Sequence, residues 1–498
     1  MKRVICLICA VLMLLPMLFA CKKKEEDEKP ANTVTTQSDV DESPNDHDDL
    51  PDDLDFQGRS VKIFYGVYDP NFDCQAWELE GTLSNSDVVA SSVYTRNLNV
   101  KSRLNVSLDF VSYGNVLVLK DYIKHIENEI ALSGSSEYDL VYHRASDSVA
   151  QANKGYFRNI SDLPYANWEK SYWFNNQMES ISLNKSGKYV LLGDLLVSNY
   201  ANMTAMFFNR DLYENQFQGK KSDEIYDMVR NNEWTWENYF RIVAEVHEDT
   251  GSDNVAENIY GAHWENGTRT CFYYPFTSGL RFTTRNDEGF PVLNFNNQRN
   301  GAMVEDLYDF INTNPGAAMM SYDEAAASFL GGRMIFYSYF LSRGTDISAN
   351  AQFRYGILPF PKYDESTDYT SIILTGAGVF TIPLSVDGDS RMECLGATLE
   401  AMCSESKKLI VPSYYETVLK IKQATALEDR EMIGMIRDHL NFDVSFWMSS
   451  SMGGVASVFQ KTILTNKTNS LSRTWRELGS GYESKLATLI DNYKKTNS

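Results

Sequence analysis

The chain has 498 residues, with 67 acidic against 46 basic side chains and a formal net charge of −21. So acidic a balance lacks the positive footprint that nucleic-acid binding requires. Hydrophobic content of 43% is ordinary for a globular protein, and an aromatic content of 13% is rich.

The first predicted element is a Lys2-Arg3 start, an apolar run from Val4 to Ala20, and then Cys21. A basic start, an apolar run and a small residue at the cut make a secretory signal. With Cys21 just past the cut, the segment resembles a bacterial lipoprotein signal, whose cysteine is acylated, for instance with palmitate. A plain membrane anchor is the alternative; the run is short for a span, and Pro16 interrupts it. The rest of the chain is then expected at the cell membrane, lipid-anchored, on the extracellular or periplasmic side.

Residues 22–57 hold 13 acids and 4 lysines. Such a segment cannot bury enough apolar surface to offset its ordering entropy, so it reads as a disordered acidic tether. Its Asp cluster lacks the alternating ligands and central glycine of a calcium loop. The body beyond it is long enough for two large lobes. It holds four cysteines: Cys74, Cys271, Cys394 and Cys403. The last two, on one predicted helix, stand about 13.5 Å apart, too far for a disulfide. Free, buried thiols are expected.

In the body, Ser60 to Tyr65 reads as a strand, Asp87 to Leu104 as a helix and Val106 to Phe110 as a strand. Val116 to Leu132 reads as a helix and Tyr138 to Tyr142 as a strand. This alternation implies parallel βαβ units, with ligand beyond the carboxyl ends of the strands. Lys188 to Leu192, Thr204 to Phe208, Ile259 to His263, Met334 to Tyr337, Phe353 to Leu358 and Gly376 to Ile382 read as further strands. Helices are expected at 222–230, 236–247, 304–311 and 322–330, and after Asp389 the chain turns mostly helical.

Six fragments, in order, resemble the extracellular solute-binding proteins of ABC importers, of the sugar-binding, maltodextrin-binding-like family 1 type. They are Tyr138-Asp139-Leu140-Val141, Phe207-Phe208-Asn209-Arg210-Asp211-Leu212-Tyr213, and Asn232-Glu233-Trp234-Thr235-Trp236-Glu237 with Thr235 as N-cap. Then come Phe329-Leu330-Gly331-Gly332-Arg333-Met334, Tyr355-Gly356-Ile357-Leu358-Pro359-Phe360-Pro361-Lys362, and Asp443-Val444-Ser445-Phe446-Trp447. The resemblance implies an α/β, periplasmic-binding-protein-like fold: two α/β lobes, a hinged cleft and a helical C-terminal region. The lobes are expected at 58–201 plus 376–438 and at 202–375 plus 439–498. The expected crossings are Tyr200-Ala201-Asn202, Gly376-Ala377-Gly378 and the stretch around Asn441.

A sugar offers apolar faces to aromatic rings and hydroxyls to charged and amide groups. Candidate ligand-binding residues are therefore those at strand ends and on the family's aromatic positions. In the first lobe they are Trp77, with Asp69 and Glu78 nearby, and Tyr142, His143 and Arg144. In the second they are Trp264 with Glu265, then Tyr273 in an aromatic run, Tyr339, Phe340 and Trp447. Relatives carry a tryptophan near Tyr339 and Phe340, so the platform here is smaller. His143 beside Arg144 makes a poor metal ligand. The sequence shows no H-E-x-x-H, Walker loop, G-x-S-x-G or C-x-x-C.

The resemblance implies a monomeric binding protein, not an enzyme, with no cofactor or metal. Its partners would be a small molecule, in this reading an oligosaccharide, the permease subunits of an ABC transporter, and the membrane through the lipid on Cys21. The alternatives are a surface-anchored glycoside hydrolase, a peptide or polyamine binder, and a helical glycan-capture lipoprotein.

Overall fold

A computed structural model describes residues 44–67, 74–116, 118–131, 137–252, 254–265, 268–419 and 426–496. The signal, Cys21, most of the tether and Asp69 lie outside the described residues. In chain order the strands are β1 (Arg59–Val67), β2 (Val106–Asn115), β3 (Leu140–Arg144), β4 (Thr204–Asn209), β5 (His247–Glu248) and β6 (Ile259–Trp264). They continue with β7 (Thr283–Arg285), β8 (Pro291–Leu293), β9 (Ala317–Met319), β10 (Met334–Phe340), β11 (Tyr355–Leu358) and β12 (Gly378–Thr381).

β1 is apolar on both faces, with Val61, Ile63, Phe64 and Tyr65 buried, as a central parallel strand must be. It pairs in parallel with β2 and with β3, and β12 closes the order β12-β3-β1-β2 antiparallel to β3. The helix Val88–Leu104 connects β1 to β2 and turns Val89, Val93, Val100 and Leu104 inward. Asp87 starts it by accepting from Ala90 N–H at 2.9 Å, and Asn105 ends it in the left-handed region at φ 49°.

The second sheet runs β11-β4-β10-β6-β5, with β9 on β6. β10 is parallel to β6 and antiparallel to β4, and a separate hairpin pairs β7 with β8. The first sheet thus draws on residues 59–144 and 378–381, the second on residues 204–358. Thr235 caps the helix Trp236–Ala244, as its position predicts. Residues 44–498 together make one compact unit.

Two expectations are corrected, and one unassigned segment is placed. Residues 44–57 are not tether: Arg103 grips Asp48 with two bonds of 2.8 and 2.9 Å, Lys170 meets Asp49 at 2.7 Å, and Leu50 is buried. Lys188 to Leu192 is no strand; Leu191 makes only an isolated bridge to Phe380. The aromatic run at 272–274 lies inside a helix, Thr268–Thr277, with Pro275 within it. Cys74, Cys271, Cys394 and Cys403 are buried and in no disulfide among the described residues, as expected. Among the described residues no helix is long and apolar enough to cross a membrane.

Candidate functional site

The carboxyl ends of β3 and β10 meet two adjoining connecting segments, residues 375–377 and residues 201–203 respectively. After β3, Ala145 N–H donates to Ala377 O at 2.9 Å and Ser146 N–H to Thr375 O at 3.0 Å. After β10, Leu341 N–H donates to Met203 O at 2.9 Å and Ser342 N–H to Ala201 O at 2.8 Å. The two segments join each other, with Leu374 N–H on Asn202 O at 3.0 Å. One strand end from each sheet therefore opens onto one junction.

Each of those strand ends carries the same charged pair. Arg144 meets Asp147 at 2.6 Å, and Arg343 meets Asp346 at 3.1 Å, both three residues apart and partly exposed. The Arg343 guanidinium also lies 4.9 Å over the ring of Tyr339. Burial works against the Arg343 charge, but the phenols of Tyr337 and Tyr339 and the Asp346 carboxylate outweigh it and raise its pKa. A guanidinium supplies only donors and a carboxylate only acceptors, so each pair can bond a hydroxyl in both senses. Sequence reasoning missed Arg343; the repeat of an arginine and an aspartate three residues on, at two strand ends, was the available signal.

The other candidates divide by exposure. Trp77, Arg144, Trp264 and Tyr339 are partly exposed. Trp77 sets its edge on Tyr414 at 6.1 Å, and Tyr414 in turn packs on Tyr200 of the first crossing at 5.1 Å. Tyr339 stacks parallel to Tyr337 at 5.8 Å, with Tyr322 edge-on at 5.2 Å. Trp264 ends β6, its carbonyl accepting from Met320 N–H at 2.9 Å.

Tyr142, Tyr273, Phe340 and Trp447 are each no more than 5% exposed, a correction to the expectation of open stacking faces. Tyr273 stands edge-on to Phe340 at 5.3 Å, and Phe340 packs on Tyr339 at 5.2 Å, so these three do form one cluster. Trp447 packs on Phe442 at 4.8 Å and on Phe446, which reaches Phe272 at 5.7 Å. Asp443 holds that segment: its Oδ1 accepts from Ser445 N–H at 2.9 Å, and its Oδ2 from Phe282 and Thr283 N–H, both at 2.9 Å. His143 is fully buried, and burial together with the Arg144 charge pushes its pKa down to about 3. It stays neutral at any ordinary pH.

Beneath the junction, Tyr142 donates its hydroxyl to Glu78, and Ser198 N–H reaches the other Glu78 oxygen at 2.8 Å. Gly378 N–H donates to Ser198 Oγ at 3.0 Å, which ties both crossings to this carboxyl. Burial raises the Glu78 pKa against these hydrogen bonds. Arg96, also buried, donates to the carbonyls of Glu78, Leu79 and Leu195 and fixes the loop from below. The arrangement is a rigid support under a charged and aromatic rim.

A mixed α/β body of two sheets joined at strand ends is the architecture of the periplasmic-binding-protein-like fold. Solved structures bear this out. The cyclic α-maltosyl-1,6-maltose binding protein of Arthrobacter globiformis is similar over 87% of this chain and 100% of its own, at 12% identity and a TM-score of 0.55. An ABC substrate-binding protein of Listeria monocytogenes in complex with cycloalternan matches over 87% and 99%, at 11% identity and a TM-score of 0.52. UgpB of Mycobacterium tuberculosis in complex with glycerophosphocholine matches over 86% and 98%, at 12% identity and a TM-score of 0.51. The chain therefore has the MalE-type fold of family 1 ABC solute-binding proteins. The sequence matches no family model and no curated protein.

Proposed function

We propose that this chain is the solute-binding lipoprotein of an ABC importer. It captures an oligosaccharide outside the cytoplasm, closes two lobes over it, and hands it unbroken to permease subunits. The lobes are those laid out from the sequence, with the first extended back to Pro44, and Cys21 carries the anchoring lipid. The protein acts as a monomer without a cofactor.

The observation that carries this reading is that β3 and β10 end on two crossings that are bonded to each other, each strand end presenting an Arg–Asp pair, with Tyr339 beside the second pair and Trp77 reaching Tyr200 of the first crossing through Tyr414. Closure requires contacts from both sides, because only a difference in affinity between states shifts the equilibrium. The Arthrobacter and Listeria proteins of similar fold bind cyclic oligosaccharides, which supports the ligand class.

Calorimetry of residues 22–498 against linear and cyclic gluco-oligosaccharides tests the reading. Binding of one of them with intact ligand recovered afterwards is expected. Recovery of shortened products would instead mark a hydrolase. The glycerophosphocholine in the Mycobacterium relative favours one second reading, a polar non-sugar solute; binding of glycerophosphocholine with silence from every sugar would establish it.

A further inference from the structure

The two halves of the molecule also touch beside the crossing around Asn441. On the first side is the segment from the helix Asn175–Ile181 to Leu192, which Leu191 N–H fastens to Phe380 O of β12 at 2.9 Å. On the second side is the hairpin of β7 and β8, which follows the helix Thr268–Thr277 and rests on it through Phe282 and Phe276, 4.7 Å apart. Neither segment belongs to a crossing, so no covalent connection requires them to meet there.

Arg285 makes the contact. Its guanidinium donates to Ser180 O at 2.7 Å, Ser182 O at 2.8 Å and Leu183 O at 2.9 Å, and closes back on Gly289 O of its own hairpin at 3.1 Å. A helix leaves its last carbonyls without partners inside the helix, and a cation suits that end. Here the capping group comes from the other half of the chain. The planar, five-donor fork of arginine can serve several carbonyls in fixed directions at once, as a lysine cannot. Around it, Lys185 N–H donates to Gly289 O at 3.2 Å, Asn184 Nδ2 to Glu288 O at 3.4 Å, and the hydroxyls of Tyr189 and Tyr493 meet at 2.7 Å.

The crossing lies alongside. Asp443, which accepts from Phe282 and Thr283 N–H, also accepts from the Thr283 hydroxyl at 3.0 Å, so the hairpin is bound to the crossing two residues before Arg285. From the other side, Gln177 Nε2 of the helix Asn175–Ile181 donates to Leu440 O at 3.0 Å. Helix, crossing and hairpin thus form one continuous bonded patch. Opening it would leave a partly buried guanidinium and three carbonyls unpaired, which is costly. A contact this close to a crossing moves little when the rest of a lobe swings.

We propose that the Arg285 clasp is a fourth, non-covalent pivot of the hinge. It stays made while the cleft opens and closes, and it limits how far the halves part. The pivot rests on the closing of two lobes proposed above.

The test is a cross-link. A Cβ at Gly289 would lie 3.5 Å from the Lys185 Cβ, within reach of a disulfide. Residues 22–498 carrying Lys185→Cys and Gly289→Cys are titrated, oxidised and reduced, with linear and cyclic gluco-oligosaccharides and with glycerophosphocholine, by calorimetry and small-angle scattering. Both redox forms carry the same strain from a side chain at φ +82°, so their difference reports the link alone. The oxidised form is expected to match the reduced form within about threefold in affinity and to show the same fall in radius of gyration. Arg285→Ala is expected to raise the radius of gyration of the unliganded chain and to weaken solute binding by at least about threefold. The cross-link arm does not depend on that variant folding. An oxidised form that binds more than about threefold more weakly than the reduced form, or does not contract, would mean that the contact breaks on closing, and would overturn the pivot alone. So would an Arg285→Ala chain that melts lower yet keeps the parent's unliganded radius and affinity, the mark of a helix cap and nothing more. A parent that contracts with none of these solutes would overturn the closing lobes, and the pivot with them.

Discussion

Arg437 and Asp194 form a buried ion pair, with Nη2 to Oδ2 at 2.6 Å. Burial opposes the Arg437 charge, and the Asp194 carboxylate more than compensates, so the guanidinium titrates above its usual range. The pair fastens the end of the helix Ala426–Asp438 to the segment just before the first crossing, and Arg437 also donates to Ser171 O at 3.0 Å. The start of the same helix docks on the second sheet, where Asp429 accepts from Ile357 N–H at 2.8 Å. One helix thus reaches the first crossing and the second sheet.

Removing one partner of this pair strands a charge in the interior. Asp194→Ala or Arg437→Ala is expected to cost about 3–5 kcal/mol of unfolding free energy. Urea titration checks this. A loss within experimental error of zero would mean that the helix end is not held by the pair.

Asp429 supplies a pH dependence of known sign. Burial pushes its pKa from the ordinary 3.8 up to about 6, against the bonds from the Tyr226 hydroxyl and Ile357 N–H. The folded chain therefore holds a proton that the unfolded chain releases. Stability from this group is complete below about pH 3.8 and is lost as pH rises through about 6, a change of ~3 kcal/mol. Asp429→Asn keeps the shape and should remove that component. The check is the difference between parent and variant in urea unfolding from pH 4 to 7.

Gly378 of β12 lies against the ring of Tyr142. A Cβ there would fall 2.3 Å from the Tyr142 ring, so Gly378→Ala must displace the phenol that holds Glu78. Tyr142→Phe removes only the hydroxyl and is expected to cost ~1–3 kcal/mol. Thermal unfolding compares the two, and the alanine variant should be the less stable.

At the junction, Arg144→Ala and Arg343→Ala each remove a partly exposed guanidinium without opening the core. Each is expected to weaken solute binding by at least about tenfold while leaving the melting temperature nearly unchanged. Calorimetry with the solute found in the panel, beside a melting curve, separates this outcome from simple destabilisation.

How far the sequence foretold this structure depends on whether the governing contact was local. β1, β3 and β10 were legible because their apolar runs are continuous, and Thr235 because its cap bond is three residues away. The helix Thr268–Thr277 was hidden by Pro275 and by aromatics on all sides. Residues 44–57 read as tether because their acids find Arg103 and Lys170 only after folding. At the site, strand-end positions were foreseen, but not which rings would stay open. In a chain with 29 Tyr and 26 Phe, Tyr142 and Phe340 are as well suited to packing as to binding. Arg343 drew no reading from the sequence, because only the fold of β10 brings it to the crossing at residues 201–203.

In the proposed function one solute is gripped from both sheets at once. Small-angle scattering of the mature chain, titrated with the oligosaccharide that binds it, tests this most directly when run beside Arg144→Ala and Arg343→Ala. The radius of gyration is expected to fall at saturation, with saturation moved to higher concentration in both variants. An unchanged radius at full occupancy, or a midpoint that shifts for only one of the two arginines, would contradict it.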